Sequence, residues 1–287
     1  MRLTGKTRLA GIMGWPVAHS RSPALHNFWL DEQGIDGAYV PLPVRPDALR
    51  QALLALPALG FRGCNLTIPH KPRALSIVDR VEPVARRIGA VNTVIVAPDG
   101  TLEGRNTDVY GFIENLRDGA PDWQPTRGPA VVLGAGGAAR AVVAALIEMG
   151  VDELRLVNRT RDRAERIAEE LAAPQGAISI LPWEARGAAL ADAGLLVNAT
   201  SLGMTGEPEL TIDLALLPEP AVVADLVYVP LETPLLAAAR RRGHGCVDGL
   251  GMLLHQGRPG FEAWFGVPVS VTRELRAAVL TTLVAPR

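Results

Sequence analysis

An α/β fold in two domains is what this sequence predicts, on three observations. Short apolar runs alternate with amphipathic stretches along most of the chain, the signature of strands alternating with helices. A stretch rich in Pro and Gly with mixed charge, 118–128, interrupts the alternation and reads as a linker. Beyond it, a glycine-rich turn from Gly134 to Ala139 sits between an apolar run and an amphipathic one. With 287 residues, 48% of them hydrophobic, the chain is long enough for two cores.

Taken in order, residues 8–14 read as a strand. Residues 23–33 read as a helix, with Pro23 in the first turn and Gly34 at the stop. The alternation over 38–44 predicts a strand; 46–55 predicts a helix with Leu49, Leu53 and Leu54 on one face. A strand over 61–67 follows. Runs at 91–96 and 101–105 flank Pro98-Asp99-Gly100, a hairpin signal, and 108–116 reads as a helix. After the linker come a strand at 130–133, a helix at 138–149 ending at Gly150, a strand at 154–158 and a helix at 162–172. Apolar strands are expected at 195–199 and 222–227, and a helix at 234–242 ends at Gly243. Helices at 249–256 and 272–284 have no strand after them and are expected to fold back onto the first domain. The expected domains are 1–117 completed by 252–287, and 118–251.

Composition excludes several function classes. Lys and Arg number 29 against 30 Asp and Glu, so the basic excess of a nucleic-acid binder is missing. No apolar run reaches the length of a membrane span, and the first 13 residues lack a cleavable signal pattern. The cysteines, Cys64 and Cys246, show neither metal-ligand nor disulfide spacing and read as thiols of a reducing compartment. The five histidines show no ligand spacing either. These readings point to a cytoplasmic protein with no metal, membrane or nucleic-acid partner.

The turn Gly134-Ala135-Gly136-Gly137-Ala138-Ala139 matches Gly-x-Gly-x-x-Gly/Ala. Gly134 permits the tight turn, Gly136 lets backbone approach a pyrophosphate, and Ala139 lets helix and strand pack closely. The helix start then offers free N–H groups and a positive dipole end to phosphates. An ordinary glycine-rich loop is the plainer reading, and the flanking strand and helix argue against it. At the end of the next strand an NAD site usually carries a carboxylate for the ribose 2′-hydroxyl. Here stand Asn158, Arg159 and Thr160, with Arg163 one turn on. Two guanidiniums would pair with a 2′-phosphate where a carboxylate would repel it, and Arg159 can stack on adenine. The cofactor expected is NADP; solvated arginines at a helix start are the plainer alternative.

The first domain holds four polar clusters that strand and turn formation does not require. They are Ser20-Arg21-Ser22-Pro23, Asn65-Leu66-Thr67-Ile68-Pro69-His70-Lys71, Gly89-Ala90-Val91-Asn92-Thr93 and Gly104-Arg105-Asn106-Thr107-Asp108. Further on stand Asn198-Ala199-Thr200-Ser201, Asp225-Leu226-Val227-Tyr228 and Asp248-Gly249-Leu250-Gly251-Met252-Leu253, with Gln256 just beyond. In type, order and spacing these clusters resemble the motifs of the shikimate dehydrogenase family, and the resemblance runs over nearly the whole chain. Leu66, where Val is common, is a slight departure.

The resemblance implies a substrate-binding α/β domain and a Rossmann-type NADP-binding domain separated by a cleft. It implies reduction of the ring ketone of 3-dehydroshikimate with NADPH. Lys71 and Asp108 would be the catalytic pair. Ser20 and Ser22 would hold the substrate carboxylate. Asn65, Thr67, Asn92 and Gln256 would hold ring hydroxyls or complete the pocket, with Tyr228 at its edge. Gly134, Ala135, Gly136, Gly137 and Ala138 would cradle the cofactor phosphates, with Asn158, Arg159, Thr160, Arg163 and Thr200 around the nucleotide. Leu226 and Gly249 would line the nicotinamide by backbone contacts. The plainer readings stand beside these: a single Lys or Asp is usually a solvated charge, and the two serines could cap the helix at Pro23. Rival functions are a quinate or quinate/shikimate dehydrogenase, an aminoshikimate-type enzyme, a methylene-tetrahydrofolate dehydrogenase on a related frame, and a non-catalytic sensor that kept the pocket. A monomer or a homodimer fits the sequence equally.

Overall fold

The computed structural model describes residues 3–171 and 177–284. Ala172, the last residue of the helix expected at 162–172, and the outermost residues of the expected domains lie outside that range. The chain forms two compact units, residues 1–107 with 256–287, and residues 108–255.

The first unit is built on a six-stranded mixed sheet of β1 (Arg8–Gly14), β2 (Gly37–Pro43), β3 (Phe61–Leu66), β4 (Arg80–Val81), β5 (Thr93–Val96) and β6 (Leu102–Arg105), in the order β2-β1-β3-β5-β6-β4. β1 runs parallel to both β2 and β3, whereas the β5–β6 hairpin joins β3 antiparallel. Helices α1 (Ser22–Glu32), α2 (Leu49–Ala55) and α3 (Pro83–Ile88) belong to this unit. Leu49 and Leu53 of α2, with Leu56 just past its end, are buried with Met13, Cys64 and Leu66 of the sheet, whereas Leu54 is exposed.

The second unit is a fully parallel six-stranded sheet: β7 (Ala130–Leu133), β8 (Glu153–Asn158), β9 (Ala177–Pro182), β10 (Leu195–Asn198), β11 (Val222–Asp225) and β12 (Gly245–Val247). The order β12-β11-β10-β7-β8-β9 reverses direction between β7 and β10. That is the strand order of a doubly wound dinucleotide fold, in which ligands bind beyond the carboxyl ends of the strands at the reversal. Every residue of β7, β10 and β11 is buried, as central parallel strands covered on both faces require. Helices α4 (Asp108–Gly119), α5 (Gly137–Glu148), α6 (Arg161–Leu171) and α7 (Pro234–Arg241) complete the unit.

Three features differ from the sequence expectation. The helix that follows Asn106-Thr107 packs on α5 and so counts with the second unit rather than the first. The stretch expected to be a linker is anchored by Trp123, which is 7% exposed and donates its indole N–H to the Gly194 carbonyl at 3.1 Å. The helix expected at 249–256 runs on as α8 (Gly249–Phe265), straight through Pro259. Proline removes one backbone donor. Continuing the helix buries Phe261, Trp264 and Phe265. Burying three aromatic side chains outweighs one lost hydrogen bond.

From Gln256 onward the C-terminal helices belong to the first unit. Trp264 donates to the Val94 carbonyl at 3.0 Å, Trp29 donates to the Ser270 carbonyl at 3.0 Å, and α9 (Arg273–Val284) packs on α1.

Candidate active site

In the first unit the polar clusters gather at the ends of neighbouring strands. The segment leaving β3 is pinned at several points. Thr67 N–H donates to the Met13 carbonyl at 3.0 Å, and Trp15 N–H donates to the Ile68 carbonyl at 3.1 Å. The Lys71 carbonyl accepts from Val91 N–H at 2.9 Å. His70 is fully buried and its Nε2 lies 2.8 Å from the Val44 carbonyl, so Nε2 carries the proton and donates. Burial lowers the His70 pKa and keeps the ring neutral. Thr67 and the half-buried Lys71 therefore stand on a loop fixed by backbone bonds.

Asn65 and Asn92 share a buried network. Asn65 Oδ1 accepts from the Tyr39 hydroxyl at 2.6 Å; Asn65 Nδ2 donates to the Asn92 carbonyl at 3.2 Å and to Thr93 Oγ1 at 3.0 Å. Asn92 Oδ1 accepts from Thr93 Oγ1 at 2.9 Å, from Thr107 N–H at 2.9 Å and from Thr107 Oγ1 at 3.2 Å. Ser22 is 8% exposed and Ser20 half-buried at the start of α1. Arg21, not a serine, is the N-cap there, and no side chain caps the helix; Ser20 Oγ accepts the Ser22 N–H at 3.3 Å. Gln256 is half-buried in α8 and joins no hydrogen bond of this network among the described residues.

In the second unit the glycine-rich turn connects β7 to α5. Gly134 has φ 107°, a conformation that suits glycine, and a Cβ there would lie 2.9 Å from the Thr200 methyl. Gly136 and Gly137 are exposed, and a Cβ on either would meet nothing within 4 Å. The turn thus opens a space at the N-terminus of a 12-residue helix, which fits a pyrophosphate. Ala138 is exposed on the first turn, Ala135 is half-buried, and Ala139 is fully buried where helix meets sheet.

Asn158 closes β8 and donates from Nδ2 to the Thr160 carbonyl at 2.8 Å, which shapes the strand end. Arg159 and Arg163 are exposed and form no ion pair among the described residues. Their neighbours are engaged: Arg161 pairs with Glu165 at 2.7 Å, Arg140 pairs with Glu170, and Arg166 donates to the Asp162 carbonyl. Two uncompensated guanidiniums at this strand end fit a phosphate ester.

Thr200, Leu226 and Gly249 are tied together by a second buried network. Thr200 Oγ1 donates to Asn198 Oδ1 at 2.7 Å, and Asn198 Nδ2 donates to Asp225 Oδ1 at 2.9 Å. Asp225 also accepts from Val227 N–H at 3.0 Å and from the Thr233 hydroxyl at 2.7 Å. Leu226 N–H donates to the Asn198 carbonyl at 3.0 Å, and a Cβ on Gly249 would overlap the Leu226 carbonyl. Asp108 is 6% exposed at the first position of α4; Tyr228 is half-buried just past β11.

Burial raises the Asp225 pKa to about 6 against the pull of its three donors. The folded state therefore binds this proton more tightly than the unfolded chain, and the stability it confers is full below the unfolded pKa and lost as pH rises through about 6. Asp225→Asn lacks that titration. Denaturant unfolding at about pH 4.5 and about pH 7.5 should show the wild-type-minus-variant stability falling by about 2 kcal/mol. A difference independent of pH would contradict the shift.

Sequence reading did not single out Tyr39, Thr93, Thr107, Asn198 or Asp225 as parts of the site, although the last four lie inside the quoted clusters. Tyr39 carried no signal beyond strand alternation.

The model of the shikimate dehydrogenase substrate binding domain matches residues 12–94. That of shikimate / quinate 5-dehydrogenase matches 124–205, and that of the shikimate 5'-dehydrogenase C-terminal domain matches 249–280. The shikimate dehydrogenase (NADP(+)) of Rhodospirillum rubrum is 61% identical over 279 residues, 97% of this chain and 99% of that protein. The chain belongs to the shikimate dehydrogenase family. Among solved structures of that family, the shikimate 5-dehydrogenase of Thermus thermophilus in complex with NADP(H) and shikimate has a TM-score of 0.84 at 40% identity. It is covered over 99% of its chain by 96% of this one. The quinate dehydrogenase of Corynebacterium glutamicum in complex with NAD has a TM-score of 0.89 at 33% identity, with the same coverage. No described helix is long and apolar enough to cross a membrane.

Proposed function

We propose that this chain is an NADP-dependent shikimate dehydrogenase. It catalyses the reversible reduction of 3-dehydroshikimate to shikimate in aromatic amino acid (chorismate) biosynthesis. The observation that carries this reading is the 61% identity, over nearly the full length, to a shikimate dehydrogenase (NADP(+)). The two arginines at the β8 end, with no ion pair among the described residues, support NADP in particular. The unit of residues 1–107 with 256–287 serves substrate binding and the unit of residues 108–255 serves the nucleotide. The enzyme is cytoplasmic, acts on small molecules, and works as a monomer or homodimer.

When bound, NADPH supplies the hydride for the ring carbonyl carbon. Lys71 places an ammonium where the carbonyl oxygen gains charge and donates the proton there. Asp108 orients that ammonium and accepts from a ring hydroxyl. Ser20 and Ser22 bind the carboxylate; Asn65, Thr67, Asn92 and Gln256 bind ring hydroxyls, with Tyr228 at the edge. Gly134 to Ala138 hold the pyrophosphate. Asn158, Arg159, Thr160, Arg163 and Thr200 hold the adenosine end, and the Leu226 and Gly249 backbone lies along the nicotinamide.

The test is a matrix of shikimate and quinate against NADP and NAD, followed by the absorbance of the reduced cofactor. Shikimate with NADP should dominate. Preference for quinate with NAD would reassign the enzyme, and no turnover in any cell of the matrix would make it a sensor.

The carboxylate assignment has its own test. Ser20→Ala and Ser22→Ala should each raise the KM for shikimate about tenfold, the worth of one hydrogen bond to a charged group, and leave the KM for NADP unchanged. Unchanged KM in both variants would leave the serines as helix-start residues only.

A further inference from the structure

The direction of every proton around Asn65 is fixed by one group that can only accept. The Asn92 carbonyl lies 3.2 Å from the Asn65 amide, so the amide nitrogen must face it. Nδ2 uses its second hydrogen on Thr93 Oγ1, whose own proton goes to Asn92 Oδ1. Oδ1 then faces Tyr39, which must donate to it. Both amide hydrogens of Asn65 are thereby used, so any further partner of this amide meets Oδ1 as an acceptor. A substrate hydroxyl at Asn65 must therefore donate.

Tyr39 is unusually constrained for a residue of an edge strand. Its backbone N–H and C=O are both taken by the side chain of Asn27, at 3.0 and 2.9 Å, which replaces the missing strand neighbour. Its ring stacks on His26 at 4.1 Å and 13°, and Trp264 lies at 5.9 Å. His26 is fully buried beside Asn65, and burial lowers its pKa to about 3 against the opposing pull of that amide. An imidazole so placed stays neutral and acts as a flat wall. The buried Tyr39 phenol keeps its proton, its pKa raised by burial, and its oxygen also faces Ser22. One hydroxyl thus stands between the residue proposed for the substrate carboxylate and a residue proposed for a ring hydroxyl.

We infer that Tyr39 is a positioning residue of the substrate pocket: its hydroxyl locks the Asn65 amide so that Oδ1 is presented as an acceptor to a ring hydroxyl. The inference rests on the functional reading above. Tyr39→Phe keeps the ring, its stack on His26 and the Asn27 clamp, and removes only the donor. Asn65 Oδ1 loses its partner and the amide is free to swing.

Steady-state kinetics of shikimate oxidation with NADP test this in four proteins: wild type, Tyr39→Phe, Asn65→Ala and the double variant. Tyr39→Phe should raise the KM for shikimate about tenfold, with kcat within about twofold and the KM for NADP unchanged. On the Asn65→Ala background the same change should move KM by less than about twofold, because the group it acts through is gone. Equal effects on both backgrounds, or a lowered Tm with KM unmoved, would make Tyr39 a packing residue and overturn the inference. Absence of shikimate turnover in the wild type would instead overturn the functional reading and this inference with it.

Discussion

Lys71→Ala should lower kcat by about 10²-fold or more while KM for shikimate changes far less. The ammonium acts on charge that develops only as the carbonyl oxygen becomes an alkoxide, so its removal weakens the transition state more than the bound substrate. The loop lets the variant be read cleanly. Its anchors include backbone bonds of Thr67, Ile68 and Lys71 and the ring of His70, all of which Lys71→Ala leaves in place. A normal circular dichroism spectrum and Tm would confirm the fold, and a near-normal kcat in that folded variant would remove Lys71 from the chemistry. Asp108→Asn keeps the size of the side chain at the start of α4 and removes its charge. It should also reduce kcat; if it altered KM alone, Asp108 would be a binding residue that orients nothing.

The central elements were legible because their burial writes itself into the sequence. β7, β10 and β11 are covered on both faces and read as unbroken apolar runs. β9 and β12 escaped for the converse reason. They are the two edges of their sheet; β9 has no fully buried residue and β12 is three residues long, so neither shows a hydrophobic period. The six-residue α3 is too short to show one. At the site, spacing within a cluster was enough to mark Asn65, Thr67 and Lys71, or Gly134 and Gly136. The groups that orient them were not legible as such. Tyr39 reaches Asn65 from a strand 26 residues earlier, and Asp225 reaches Asn198 from 27 residues later. Such contacts depend on strand order, which a single sequence does not display. The cofactor signal was legible because it lies in a local absence, the missing carboxylate after β8, but only the geometry shows that Arg161 has Glu165 for a partner whereas Arg159 and Arg163 have none among the described residues.

Arg159→Asp should reverse the cofactor preference by changing the sign of the charge at the β8 end. In a doubly wound sheet this position meets the adenosine ribose. A 2′-phosphate carries about two negative charges near neutral pH. Arg159 directly follows Asn158, and Arg163 lies in the first turn of α6, so both guanidiniums stand at that end of the sheet. Both are exposed and, among the described residues, neither gives up an internal ion pair when the phosphate arrives. The wild type should therefore prefer NADP in kcat/KM, and the preference should shrink as salt rises because exposed charges are screened. In the variant, the introduced carboxylate would repel the phosphate and could accept from the two ribose hydroxyls of NAD. Loss of one charge-assisted contact alone is worth about 10- to 100-fold in NADP affinity, and repulsion adds to it. Arg163→Ala should show the smaller loss, since it removes a positive charge without adding a negative one. Measuring kcat/KM for both cofactors in the three proteins at two salt concentrations checks the assignment. A wild type that uses NAD as well as NADP, or an Arg159→Asp variant with an unmoved ratio, would reduce these arginines to solvated surface charges and leave the cofactor choice to some other part of the nucleotide site.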